Sequence, residues 1–270
     1  MANLTNKQLA RILYLPHGGG PLPLLGDPGH ARMRRFCREV TSELGKPEAI
    51  LLISAHWQAP QPTVTAAARP ALIYDYYGFP PLAYKITYPA PGAPELAEKV
   101  QELLAEAGIA ARLDQQRGFD HGMYVPLKLM YPEAEIPCVQ LALQAGLDPT
   151  AHLRIGQALA NLRKENLLII GSGFSFHNLN AFIFSGPTEP DPKNEAFQTW
   201  LIETCTTPEL PENERTARLT NWATAPFARY CHPYEDHLLP LHVCYGIAGS
   251  AARLVFYDEI MGKKACALLW

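Results

Sequence analysis

With 270 residues, 48% of them apolar, the chain has enough material for one large α/β domain or two small ones. A formal net charge of -3, with no basic stripe and no acidic tail, leaves no electrostatic footprint for nucleic acid. No apolar run is long enough to cross a bilayer, and the start MANLTNKQLARILYL lacks a signal-peptide pattern.

Short apolar runs alternate with amphipathic stretches. Arg11 to Leu15 predicts a buried strand that delivers His17, followed at once by Gly18-Gly19-Gly20. His30 to Leu44 predicts a helix, with Met33, Phe36, Cys37, Val40 and Leu44 on one face. AILLISAHW reads as a buried strand ending at His56, and PTVTAAA as another strand. YDYYGFPPLAYKITYPAPG is an aromatic, proline-rich loop whose Tyr74, Tyr76, Tyr77 and Phe79 serve as loop packing or as the wall of a pocket for a ring. Pro94 to Ala107 has proline at its start and Gly108 past its end, a helix with both signals in place. IAARLD predicts a strand, QQRGFDHGMYVPLKLMYP a loop entering a short helix, and IPCVQLAL a strand. Pro149 to Asn166 predicts one helix and NLLIIGSG a third buried strand with a glycine-rich exit. Ser185 to Asn194 is polar, proline-rich and read as mobile; Glu195–Cys205 and Asn213–Ala225 are helical. HPYEDHLLPLHVCYGIAG begins as a loop with His237 heading a helix to about Ala248, and ARLVFYDEI-MGKK-ACALLW closes the chain as two strands joined by a turn. There is no internal repeat and no linker, so the expectation is one α/β domain over residues 1–270, a mixed central sheet flanked by helices. The cysteines Cys37, Cys138, Cys205, Cys231, Cys244 and Cys266 have no CxxC spacing, which suits packed, reduced thiols in a cytoplasmic protein.

The nine histidines carry the chemistry. His17, His56 and His177 each stand at or soon after the carboxyl end of a buried run, and such ends share one rim of an α/β sheet, where ligands bind. His121 in FDHG, on a loop, and His237 in EDH are candidates to join them, and imidazoles converging on one cleft suit a divalent transition metal. His30 and His152 sit among polar neighbours on helices and read as surface residues. His242 reads as packing, and His232 is left open between packing and support of the site.

HGGGPLPLL, SAHW, GFPPLAYKITYPAPGAPELA, GFDHGMYVPLKLMYP, IPCVQL, GSGFSFHNL and EDHLLPLHVCYGIAG together resemble the class III extradiol ring-cleaving dioxygenases, in particular the 4,5-DOPA extradiol branch, alongside the protocatechuate 4,5-dioxygenase catalytic subunit. The resemblance implies a metal at one rim of the sheet, ligated by His17, His56 and a third residue, His237 or Glu235. It implies His177 as catalytic base or further ligand, and His121 as a contact to substrate or oxygen. It implies Fe(II) for activity, with Zn(II) able to occupy the site, and a small catecholic substrate, DOPA-like or a related catecholic acid, opened with O₂ by a monomer or small homo-oligomer. Lys85, Arg117 and Arg229 are the loop cations available to a substrate carboxylate. The readings kept beside this one are a zinc-dependent hydrolase and a non-catalytic binding protein on the same scaffold.

Overall fold

The computed structural model describes residues 9–184 and 188–270. Strands β1 (Arg11–Pro16), β2 (Ala49–Ala59), β3 (Thr63–Thr65), β4 (Arg112–Asp114), β5 (Cys138–Gln144), β6 (Leu167–Gly173), β7 (Arg253–Ile260) and β8 (Lys263–Leu269) form one sheet, ordered β4-β3-β5-β2-β6-β1-β8-β7. The middle strands β5, β2, β6 and β1 are parallel. β8 joins β1 antiparallel and β7 joins β8 antiparallel; at the other edge β3 is antiparallel to β5. The sheet is mixed, as the pattern predicts.

Alternation along the strands divides the interior into two layers. Ile12, Leu51, Ile53 and Ile169 face one way, while Leu13, Ile50, Leu52 and Ile170 face the other. Both faces are covered, which is why these strands read as unbroken apolar runs. Helices α1 (Ala31–Leu44) and α3 (His121–Met130) cover the Leu13 face, and α1 buries the five residues its spacing predicts. Helices α2 (Pro94–Glu106) and α4 (Pro149–Ala158) cover the Ile12 face. α5 (Pro192–Thr206), α6 (Glu212–Thr220), the single turn α7 (Ala228–Cys231) and α8 (Leu239–Ala248) complete the set, and every residue of α8 is buried.

Several expectations are corrected. β2 does not end at His56 but runs on to Ala59; its pairing with β5 shifts between Ser54 and Gln58, so Ala55, His56 and Trp57 bulge out of the ladder. The helix expected over 149–166 stops at Ala158 and is followed by a 3₁₀ turn, Ala160–Lys164. His121 is the first residue of α3 rather than a loop residue, and His237 stands two residues ahead of α8. The aromatic loop contains a 3₁₀ turn, Pro81–Lys85. Of the Ser185–Asn194 segment, residues 185–187 lie outside those described, and its end is ordered by the Asp191 carboxylate, which caps α5 through the Lys193 and Asn194 amides.

His30 and His152 are both fully buried, not surface residues. Each occupies a backbone joint as a neutral ring. His152 donates from Nδ1 to the Asp148 carbonyl (2.8 Å) and accepts the Gln144 amide at Nε2 (3.1 Å). His30 bonds Asp27 through Nδ1 (2.6 Å) and accepts the Gly19 amide at Nε2 (2.9 Å). Polar neighbours in sequence do not reveal that each ring also accepts an amide from another turn, Gly19 for His30 and Gln144 for His152.

Candidate metal centre and active site

The carboxyl end of β1, the bulge in β2 and the exit of β6 lie side by side, because β2, β6 and β1 are consecutive in the sheet. His17 follows β1, with its amide bonded to the Gly173 carbonyl of β6. The three glycines after it serve first to turn the chain. Gly18 and Gly20 have φ of +85° and +53°, and a Cβ on Gly18 would stand 2.6 Å from Pro23 Cγ and 2.8 Å from His30 Cδ2. They also line the cavity beside His17.

His56 projects from the β2 bulge. Its amide bonds the Ser54 hydroxyl (3.1 Å), which donates to Asp120 (2.8 Å), and Asp120 is held in turn by Gln140 and Arg117. His237 is fixed through its carbonyl, which accepts the Phe174 amide (2.9 Å) and the Tyr14 hydroxyl (3.0 Å). Burial, reinforced by nearby thiols, pushes Tyr14 well above its ordinary pKa, so it stays a donor.

The imidazoles converge. His17 Nε2 lies 3.0 Å from His56 Nε2, and His56 Nε2 lies 3.2 Å from His237 Nε2. Three nitrogens bonded to one cation at ~2.0–2.1 Å, with angles between square and tetrahedral, would stand roughly 2.9–3.4 Å apart. The tautomers agree with that use. Ser172 donates its hydroxyl hydrogen to the Gly122 carbonyl, so His17 Nδ1 must donate to Ser172 Oγ (3.0 Å), leaving a lone pair on Nε2. His237 Nδ1 donates to Asp236 Oδ1 (2.8 Å), with the same result. Burial first, then the neighbouring rings, pushes His17, His56 and His237 well below the usual imidazole pKa, so they are neutral, the ligating form. The lone pairs of His17 and His237 both face His56 Nε2, and with His56 in its Nδ1–H tautomer the three nitrogens form a donor set that fits one shared cation.

Two carboxylate–imidazole pairs flank the triad. Asp75 Oδ1 accepts both the ring Nδ1 (2.9 Å) and the amide (3.0 Å) of His121. Burial would raise Asp75, but these bonds and the nearby imidazole charges hold it below its usual value. On the other side His177 stacks on His237, with ring centres 3.3 Å apart and planes at 11°, and its Nδ1 is 4.0 Å from Asp236. Burial and then His121 push His177 down to about 4; burial and then Glu235 push Asp236 up to about 6.

All five predicted site histidines therefore meet, and all line one cavity of about 740 Å³. His177 groups with Asp236 and His237, apart from the His17–His56–His237 cluster. Glu235 turns to Arg229 (2.7 Å), which leaves His237 as the imidazole that completes the triad. His232 lies apart, donating to the Ser175 carbonyl, and His242 packs against the Leu219 and Leu238 carbonyls. The suggested cations do not serve: Arg117 binds Asp120 and stacks on Trp57, Arg229 stacks on Trp222, and neither these nor Lys85 lines the cavity. Of the aromatic loop, Tyr76, Tyr77 and Phe79 do form a wall. Sequence reasoning missed Asp75, 46 positions from His121 with no local signal, and gave Asp236 no role although it adjoins His237.

A mixed α/β sheet with a histidine cluster at the carboxyl rim of its parallel strands defines a metalloenzyme-type scaffold. Comparison with known proteins gives the family. Residues 26–268 match the family described as the catalytic LigB subunit of aromatic ring-opening dioxygenase, and the chain belongs to it, within the class III extradiol dioxygenases. It is 44% identical over 251 residues to the Beta vulgaris protein named 4,5-DOPA dioxygenase extradiol, covering 91% of this chain and 89% of that one. It is 40% identical over 281 residues to dioxygenase tasH of Hapsidospora irregularis, covering 98% and 87%. A crystal structure of an uncharacterized protein from Escherichia coli K12 superposes with a TM-score of 0.78 at 30% identity, covering 96% of this chain and 98% of that one. The chain is a ring-cleaving dioxygenase of a metal-dependent family. Among the described residues no helix is long and apolar enough to cross a membrane.

Proposed function

We propose that this enzyme opens a catechol ring with O₂ beside one of its two hydroxyls, using an Fe(II) ion held by His17, His56 and His237. The observation that carries the reading is the convergence of three imidazole Nε2 atoms, 3.0 Å between His17 and His56 and 3.2 Å between His56 and His237, with the acid–base candidates His121 and His177 on the same cavity. Fe(II) supplies the one-electron exchange between catechol and O₂ that zinc, with no redox change, does not. Held by these three residues, such an ion would keep further coordination positions for the catechol oxygens and O₂.

His177 accepts a catechol proton at a ring nitrogen that is unprotonated near neutral pH. His121, whose Nδ1 donates to Asp75, offers Nε2 to the cavity, where it takes up a proton from the substrate and returns it as the ring opens. Gly18 to Gly20 bring only backbone to the wall beside His17, which leaves the ring room to reach the cation. Both atoms of O₂ end in the ring-opened product, so no external reductant is consumed.

The test is anaerobic reconstitution with Fe(II), followed by oxygen uptake and product absorbance with a panel of catechols including DOPA, caffeate and protocatechuate. One O₂ consumed per yellow ring-opened product is expected, with no reaction for the zinc form. Hydrolysis of an ester or amide that proceeds without O₂, in the absence of any ring opening, would overturn the reading.

A further inference from the structure

The cavity is much larger than a catechol ring needs. At about 740 Å³ it falls in the range of pockets for whole drug-sized ligands, ~300–1,000 Å³. Beyond the histidines, three aspartates and the glycine turn, its walls are aromatic and aliphatic, and its mouth is built of side chains that are apolar yet exposed: Tyr77 is 93% exposed, Leu179 64% and Phe184 62%. Exposed apolar side chains grouped around a polar centre mark a ligand surface rather than a packing accident.

Its charge is one-sided. No Lys or Arg lines it among the described residues, whereas Asp27, Asp75 and Asp236 do. The nearby basic side chains are committed elsewhere, Arg117 to Asp120, Arg229 to Glu235 and Lys263 to Asp191. A carboxylate on the substrate needs a guanidinium, an ammonium or a backbone nest to replace its water. With the catechol oxygens occupying the cation at the histidines, a carboxylate at the far end of the substituent would meet aromatic faces and other carboxylates.

Resting on the proposed catechol-opening activity, we propose that the cavity selects catechols carrying a bulky, uncharged, apolar substituent and discriminates against those carrying a carboxylate. The catechol end lies at the histidines, and the substituent runs along Phe79 and Phe182 toward the rim at Tyr77 and Leu179. Two like charges ~8 Å apart at an effective dielectric of ~20 repel by the equivalent of roughly 30-fold in affinity, and screening by solvent at the exposed rim reduces this to about tenfold.

The test compares methyl 3-(3,4-dihydroxyphenyl)propanoate with its free acid, a pair of nearly equal size that differs in charge. Dissociation constants are measured by calorimetry on the zinc-loaded protein, which reads binding without turnover. The ester should bind about tenfold more tightly or better. The Leu179→Arg variant, which adds a cation at the exposed rim, should bring the acid-to-ester ratio close to one. An acid that binds as well as the ester, a ratio unmoved by Leu179→Arg, or no binding of either compound overturns the selectivity. An ester preference in binding with no oxygen uptake by the Fe(II) form would instead overturn the dioxygenase reading and leave the selectivity standing.

Discussion

Gly122 offers the sharpest test of how the site is held. It is the second residue of α3, and its carbonyl accepts the Ser172 hydroxyl that sets the His17 tautomer. A Cβ there would stand 2.8 Å from Ser54 Oγ, 3.1 Å from His56 Cδ2 and 3.2 Å from Asp120 Oδ1. Ordinary carbon–oxygen contacts begin near ~3.3 Å, so Ser54 and the His56 ring must retreat by roughly 0.5 Å. Neither is free to do so, because Ser54 is bonded to Asp120 and to the His56 amide. In a helix without such neighbours, Gly→Ala stabilises by about 0.5–1 kcal/mol. Overpacking costs ~1–3 kcal/mol, so Gly122→Ala should be net destabilising by about 1 kcal/mol in urea melts. A displaced His56 should weaken zinc binding about 10- to 100-fold in chelator competition, the usual cost of disturbing a ligand's support. A variant that is stabilised and binds zinc like the wild type would refute the reasoning.

Asp75→Asn keeps the acceptor but removes the charge that orients His121; kcat should fall by about 10²-fold with KM and metal content nearly unchanged. His177→Ala should retain the metal while ring opening drops by ~10²–10⁴-fold, since His177 stacks on His237 rather than joining the triad; equal loss of metal would make it a ligand. His152 gives a pH prediction away from the metal. Burial lowers its pKa below the usual imidazole value, so the unfolded chain binds the extra proton first. Its contribution is complete above about pH 6.5 and is lost as pH falls below that, at up to ~1.4 kcal/mol per pH unit. Urea melts of wild type and His152→Asn should converge with acidification, and a parallel pair of curves would contradict the assignment.

The parallel core was legible because a strand buried on both faces must be apolar throughout, as AILLIS and LLIIG are. The histidines were legible because each follows such a run or heads a polar loop, and sheet topology then brings the ends together. What the sequence hid depends on tertiary partners. The β2 bulge at His56 exists because β5 resumes pairing at Gln58, and nothing in SAHWQA announces it. His30 and His152 have polar neighbours in the chain, yet their rings satisfy the amides of Gly19 and Gln144 from other turns. Asp75 reaches His121 only because the aromatic loop folds over the rim, a contact that no periodicity encodes. The single helix expected over 149–166 failed locally: its apolar spacing persists through Leu159 and Leu162, both buried, although the backbone has tightened into a 3₁₀ turn.

Crystals loaded with Fe(II) under nitrogen, or with Zn(II), and measured at the metal's absorption edge would test the central claim directly. One anomalous peak per chain, at ~2.0–2.2 Å from Nε2 of His17, His56 and His237 together, is the predicted result. A peak bound to other residues, or none at full metal occupancy in solution, would contradict the shared-cation account of these three rings.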